Sequence, residues 1–153
     1  MNLKGNEKNK GNIEVKVFTE FVEKAEANID INTIEKRLPP EPDILCRDLD
    51  GNYIAFELAE LCSQEMAHLK AKPREGTIRV DTREDVRKIT TNKNKKSFKY
   101  ETKHPIEILY YTSDRTHPNE DVIINSINTG YSKYRKIWFL GVEKTKLISS
   151  TII

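Results

Sequence analysis

The stretch from Glu41 to Cys62, EPDILCRDLDGNYIAFELAELC, decides the fold of this chain. Asp50-Gly51 separates two runs of alternating character, Asp43 to Asp48 and Asn52 to Leu61, which is the pattern of a β-hairpin. If Leu49, Asp50 and Gly51 form the loop with Gly51 in the left-handed region, Asp48 pairs with Asn52. Counting back, Asp43 then stands directly opposite Glu57. Ile44, Cys46, Ile54, Phe56 and Leu58 share one face of the hairpin, and Asp43, Ala55, Glu57 and Ala59 share the other. A two-residue loop would send the acids to opposite faces, so the apolar pattern and the acid pair agree on one register.

On the N-terminal side, Val15, Phe18, Phe21, Val22 and Ala25 fall at helical spacing and predict a helix over 13–27. Met1 to Asn12 is polar and is expected to be a flexible tail outside a single domain over 13–153. Ile29 to Leu38 is strand-like, stopped by Pro39, Pro40 and Pro42. On the C-terminal side, 63–74 is ambiguous and suits a short helix closed by Pro73. Thr82 with Asp85 three residues later predicts a helix over 83–96. Pro105 to Tyr111 suits a buried strand, Asn119 caps a helix expected to end at Gly130, and Lys136 to Val142 is a last central strand onto which EKTKLIS folds back. The order is α-β-β-β-α-β-α-β, an α/β class with a mixed central sheet flanked by helices.

Two carboxylates facing each other across a strand pair repel. A divalent cation removes that penalty, and hard oxygen ligands suit Mg²⁺ or Mn²⁺. Such an ion polarises a phosphoryl oxygen and activates water near neutral pH. The plainer alternative is a pair of surface acids, one of them bridged to Arg47 or Lys36. Glu14 is a third acid: four residues before Phe18 and seven before Phe21, it lies on the apolar face of the first helix, while Glu20 and Glu23 point away. An inward carboxylate needs a partner, either a metal site or a nearby lysine; as a first-turn charge it also suits the helix dipole. On the second long helix Val86, Ile89, Thr90, Lys93 and Ser97 cluster on one face, so Lys93 is directed inward, either to snorkel or to reach the acids.

Together Pro42-Asp43, the hairpin, Glu57 in an apolar strand, the preceding helix with Glu14 and the later helix and strand resemble the PD-(D/E)XK nuclease superfamily over roughly 13–142. The resemblance implies a restriction-endonuclease-like αβββαβ core and phosphodiester hydrolysis. By it, Asp43 and Glu57 bind Mg²⁺ or Mn²⁺ with help from the Leu58 carbonyl, Glu14 assists, and a lysine positions the attacking water. The family lysine belongs two residues after Glu57, where this chain has Ala59. FELAEL is similar to a variant group often carried by phage or mobile elements, and Lys93 is the candidate for a lysine relocated to another element. Without a replacement, the same fold would be a silent module that binds a protein partner or nucleic acid.

The rest of the composition narrows the partners. Among 153 residues, 37% hydrophobic and 33% charged, no apolar run nears the roughly 18 residues of a membrane span, and Met1 to Asn12 has no apolar stretch of the kind expected in a secretory signal. Cys46 and Cys62 lie in apolar runs without metal spacing and are expected to be buried thiols of a cytoplasmic protein. The net charge of +2 does not announce a nucleic-acid binder. A local lysine stripe does more: Lys95, Lys96 and Lys99, beside Lys93 and Lys103, are placed to track a phosphate backbone, and otherwise form a solvated helix face. The expected partner is nucleic acid, DNA favoured over RNA, with a homodimer compatible with the resemblance. His68, His104 and His117 show no ligand spacing, and most of the tyrosines, with Trp138, fall in core-like runs.

Overall fold

The structure, a computed structural model, describes residues 3–61, 82–112 and 119–151, with side chains from Lys10 onward within them. The elements are α1 (Leu3–Ala25), β1 (Ile29–Lys36), β2 (Ile44–Asp48), β3 (Tyr53–Leu61), α2 (Thr82–Lys96), β4 (Ile106–Thr112), α3 (Glu120–Ser126), β5 (Tyr134–Leu140) and β6 (Thr145–Ser150), with a 3₁₀ turn at Ser97–Lys99. The six strands form one sheet in sequence order. β3–β4 and β4–β5 are parallel and the other three pairings antiparallel. The protein is therefore an α/β fold with a mixed sheet, as the strand and helix patterns predict. The segment 63–74, with Cys62, His68 and His117, lies outside the described residues.

Each face of the sheet carries its own core. Phe18, Phe21 and Val22 of α1 pack on Ile44, Cys46, Ile54, Phe56 and Leu58. On the opposite face Val86 of α2 and Ile123 and Ile124 of α3 pack on Ala55, Ala59, Ile108 and Phe139. β3 is buried on both sides, hence its nearly continuous apolar run. Among the described residues no helix is long and apolar enough to cross a membrane.

Several boundaries differ from the sequence reading, and three of them have a clear physical cause. α1 starts at Leu3 rather than Ile13, so most of the expected polar tail is helical. Once the apolar face of 14–25 is packed, propagating the helix backwards costs little, and no proline stops it. α3 ends at Ser126, short of Gly130, because Ile127 is extended and Asn128 is pinned to α2. Asn128 donates its backbone N–H to Thr90 Oγ1 at 2.9 Å and accepts from Asn94 Nδ2 at 2.9 Å. The last central strand is Tyr134–Leu140, two residues earlier than expected, because 141–144 make the turn into β6: Gly141 N–H donates to the Lys144 carbonyl at 2.7 Å.

Candidate functional site: acids and lysines at the splayed end of the hairpin

The hairpin has the register that the sequence implies. Ile44 pairs with Phe56 and Cys46 with Ile54, which sets Asp43 opposite Glu57. Gly51 has a φ of +89°, a conformation that an L side chain resists. Asp48 N–H donates to Asn52 O at 2.9 Å and closes the loop.

β2 starts at Ile44, so Asp43 stands where the strand leaves the sheet, and the two acids bind each other's strand. Asp43 N–H donates to Glu57 Oε1 at 3.2 Å, and Leu58 N–H donates to Asp43 Oδ2 at 3.0 Å. The N–H and C=O of one strand residue point to the same edge. The Leu58 carbonyl therefore also faces the gap that β2 leaves beyond Asp43.

Lysines close the site from two sides. Lys93, one α2 turn before Ser97, donates to Glu57 Oε2 at 2.8 Å, and Lys96 Nζ lies 3.9 Å from the same oxygen. Lys36 Nζ bridges Glu14 Oε1 at 3.0 Å and Asp43 Oδ1 at 3.3 Å. A bulge delivers it: the β1–β2 register shifts between Asp30 and Glu35, which sets Lys36 beside Ile44. Had the register of the Ile29–Asp48 pair run on, Thr33 would occupy that position.

The electrostatics follow from burial. Glu14 and Glu57 are only 4% and 3% exposed. Burial, then the nearby Asp43 charge, raises the Glu14 pKa, and Lys36 only partly opposes them. Burial also pushes Asp43 up, but the Leu58 N–H, the adjoining Glu57 side chain and Lys36 outweigh it and hold Asp43 below its ordinary value. For Lys36, desolvation is outweighed by its two carboxylate partners, so its pKa is raised.

Of the residues singled out from sequence, Glu14, Asp43, Glu57, Leu58 and Lys93 meet at this gap. Lys96 reaches Glu57 and also lies 5.5 Å over the Tyr100 ring, whereas Lys95 and Lys99 are exposed and, among the described residues, pair with none of the acids. Lys36, weighed from sequence as an ion-pair partner for one acid, serves two, and it is the partner of inward-facing Glu14. Among the described residues no three acidic, histidine or cysteine side chains are grouped to share one ion. Two carboxylates and the Leu58 carbonyl remain, a hard-oxygen set of the kind that Mg²⁺ takes, since that ion commonly uses one or two carboxylates and completes its shell with water and phosphate.

No protein-family model, curated protein or solved structure matches this chain.

Sequence reasoning missed the aromatic wall behind Glu57. The Tyr134 hydroxyl donates to the Lys93 carbonyl at 2.7 Å and so fixes the end of α2. The Tyr100 hydroxyl is buried near Glu57 and Tyr134, and burial, then the Glu57 charge, raises its pKa. Two further buried acids were also missed. Glu107 pairs with Arg135 at 2.5 Å and accepts from Trp138 Nε1 at 2.8 Å. Glu120 accepts from the backbone N–H groups of Val142 and Lys144 at 2.8 and 2.9 Å. A glutamate inside the apolar run PIEILYY was a signal for Glu107, whereas Glu120 looks like any first-turn acid.

Proposed function

We propose that this is a metal-dependent nuclease-like domain that hydrolyses phosphodiester bonds in nucleic acid, DNA in preference to RNA. The observation that carries the reading is the reciprocal clamp of Asp43 and Glu57 at an open strand end, with Lys93 arriving from α2 on Glu57. Asp43, Glu57 and the Leu58 carbonyl are the residues that would hold Mg²⁺ or Mn²⁺, and when bound the ion supplies Lewis-acid polarisation of a phosphoryl oxygen and a lowered water pKa. The chain does the rest. Lys93, anchored on Glu57, orients a water for in-line attack on phosphorus and carries positive charge toward the transition state. Lys36 ties Glu14 to Asp43 and fixes the carboxylate that a buried charge would otherwise displace. In this reading Lys93 takes the place of the residue that Ala59 lacks, and Lys95, Lys96 and Lys99 give the phosphate backbone its sequence-independent attraction. A cytoplasmic location belongs to the same reading.

The test is an assay on supercoiled DNA, single strands and RNA with Mg²⁺ and with Mn²⁺. Wild-type protein cleaves at least one of them, and Asp43→Ala and Glu57→Ala abolish cleavage while binding persists. Full activity in either variant would overturn the mechanism.

A second reading is favoured by one observation: Lys36 and Lys93 already neutralise the acids without any ion. The domain would then be a silent nuclease-fold module that binds a protein partner or nucleic acid, such as a mobile-element accessory protein. Lack of cleavage on every substrate, together with no effect of Mg²⁺ or Mn²⁺ on thermal stability, selects it.

A further inference from the structure

A concavity is lined by Tyr100 and Tyr134, the two tyrosines behind Glu57. It is a half-open cleft of about 810 Å³, within the range of small-ligand clefts. Its lining includes Lys103, Lys133 and Arg135 and, among the described residues, no acidic side chain. Arg135 is committed to Glu107. Lys103 and Lys133 have no ion-pair partner among the described residues, so the described lining carries net positive charge.

Two aromatic rings at the cleft are not spent on the core. Tyr131 is 88% exposed and Phe98 40% exposed, and the rings lie 5.0 Å apart with a 32° tilt. They come from different elements, the 3₁₀ turn after α2 and the loop into β5, and converge on one cleft wall. The lining continues through His104 to Tyr53, stacked on it at 4.9 Å, with Arg47 5.7 Å over the Tyr53 ring. Exposed rings interleaved with unpaired cations provide faces for flat aromatic groups and charge for the anionic links between them.

We propose that this cleft binds unpaired nucleotides of single-stranded nucleic acid, with Phe98 and Tyr131 stacking on bases and Lys103 and Lys133 on phosphates. A duplex fits poorly, because its bases stack on each other and offer only their edges, whereas aromatic faces take bases of any sequence once unpaired. The placement links cleft and acids. Tyr100 lines the cleft and its ring lies beneath Lys96, which reaches Glu57, and Glu101 N–H donates to the Pro40 carbonyl at 3.1 Å on the loop that leads into Asp43. A strand seated in the cleft thus passes close to the Asp43–Glu57 gap. Only this last step rests on the nuclease reading; the binding itself does not.

The test measures binding in chelator, where cleavage cannot contribute. Fluorescence anisotropy compares a labelled oligothymidylate of about ten nucleotides with a blunt duplex of the same length, for wild type, Phe98→Ala, Tyr131→Ala, Lys103→Ala and Lys133→Ala. Wild type prefers the single strand. Each aromatic replacement weakens that binding by about 5- to 100-fold and leaves duplex binding unchanged. Each lysine replacement lowers the slope of log affinity against log salt by about 0.7. Thermal melts check that the exposed replacements remain folded. Equal affinity for single strand and duplex, or unchanged single-strand affinity in folded Tyr131→Ala, overturns the proposal. Single-strand preference in a protein that cleaves nothing leaves the cleft standing and removes the nuclease reading instead.

Discussion

Lys93 Nζ donates to Glu57 Oε2 at 2.8 Å across the interface between α2 and β3. The pair joins residues 36 apart in sequence and ties α2 to β3 at the acid cluster. If Lys93 acts in the reaction, Lys93→Ala lowers kcat by about 10²- to 10³-fold with KM little changed. The variant also loses stability, about 2 kcal/mol, less than for a fully buried pair because the Lys93 side chain is still 22% exposed. A kcat within about 3-fold of wild type in folded Lys93→Ala would restrict this lysine to a structural part.

Metal binding has a readout independent of turnover. If Asp43 and Glu57 hold Mg²⁺ or Mn²⁺ as proposed, the ion binds the native state alone, and millimolar metal should raise Tm of the wild-type protein by a few degrees through mass action. Asp43→Asn keeps an acceptor for the Leu58 N–H but removes the charge, and its Tm should no longer respond to metal. Identical metal-induced shifts in both proteins would show that the ion binds elsewhere.

The site was legible in sequence where short-range periodicity governs it. The period of two in the hairpin, with a glycine at the one position that needs positive φ, was enough to set Asp43 opposite Glu57. The helical period directed Glu14 and Lys93 inward, and both are found among the acids and lysines of the gap. What remained illegible depends on contacts between distant segments. Nothing in the spacing of β1 announces the bulge that carries Lys36 to Asp43, and no local pattern brings Tyr100 and Tyr134 together behind Glu57. The end of α3 was missed for the same reason: Asn128 is held by Thr90 and Asn94 of another helix, and that tertiary pinning overrides the glycine stop expected at Gly130.

Glu120 provides a prediction about the fold alone. Its carboxylate is buried and satisfied by the N–H groups of the β5–β6 turn, and a Cβ placed on Gly141 would collide with both of its oxygens. Gly141→Ala must displace Glu120 or the turn, and should destabilise the protein by more than about 2 kcal/mol in urea. Glu120→Ala removes the charged acceptor shared by the N–H groups of Val142, Glu143 and Lys144 and costs a similar amount. The double variant should lose less than the sum of the two, because both act on one contact. Full additivity would separate the two residues.

Cys46 makes the pH dependence testable. Its thiol donates to the Ile54 carbonyl at 3.6 Å, and burial, then Glu107 and Asp48, push its pKa from 9.0 up to about 12. In this window the native state keeps a proton that the unfolded state releases. The thiol's contribution is therefore fully present below pH 9.0 and is lost as pH rises toward 12. The slope approaches about 1.4 kcal/mol per pH unit. Buried tyrosines Tyr110 and Tyr134, whose pKa values are raised first by desolvation, act in the same direction at higher pH, so the thiol is isolated by difference. Urea unfolding at pH 8 and pH 10.5 should show the wild-type protein losing about 2 kcal/mol more than Cys46→Ala. The same burial keeps native Cys46 unlabelled by iodoacetamide at pH 8, with peptide mapping to separate it from Cys62. Rapid alkylation of Cys46 in the native state, or parallel stability curves for the two proteins, would contradict a thiol sealed between α1 and the sheet.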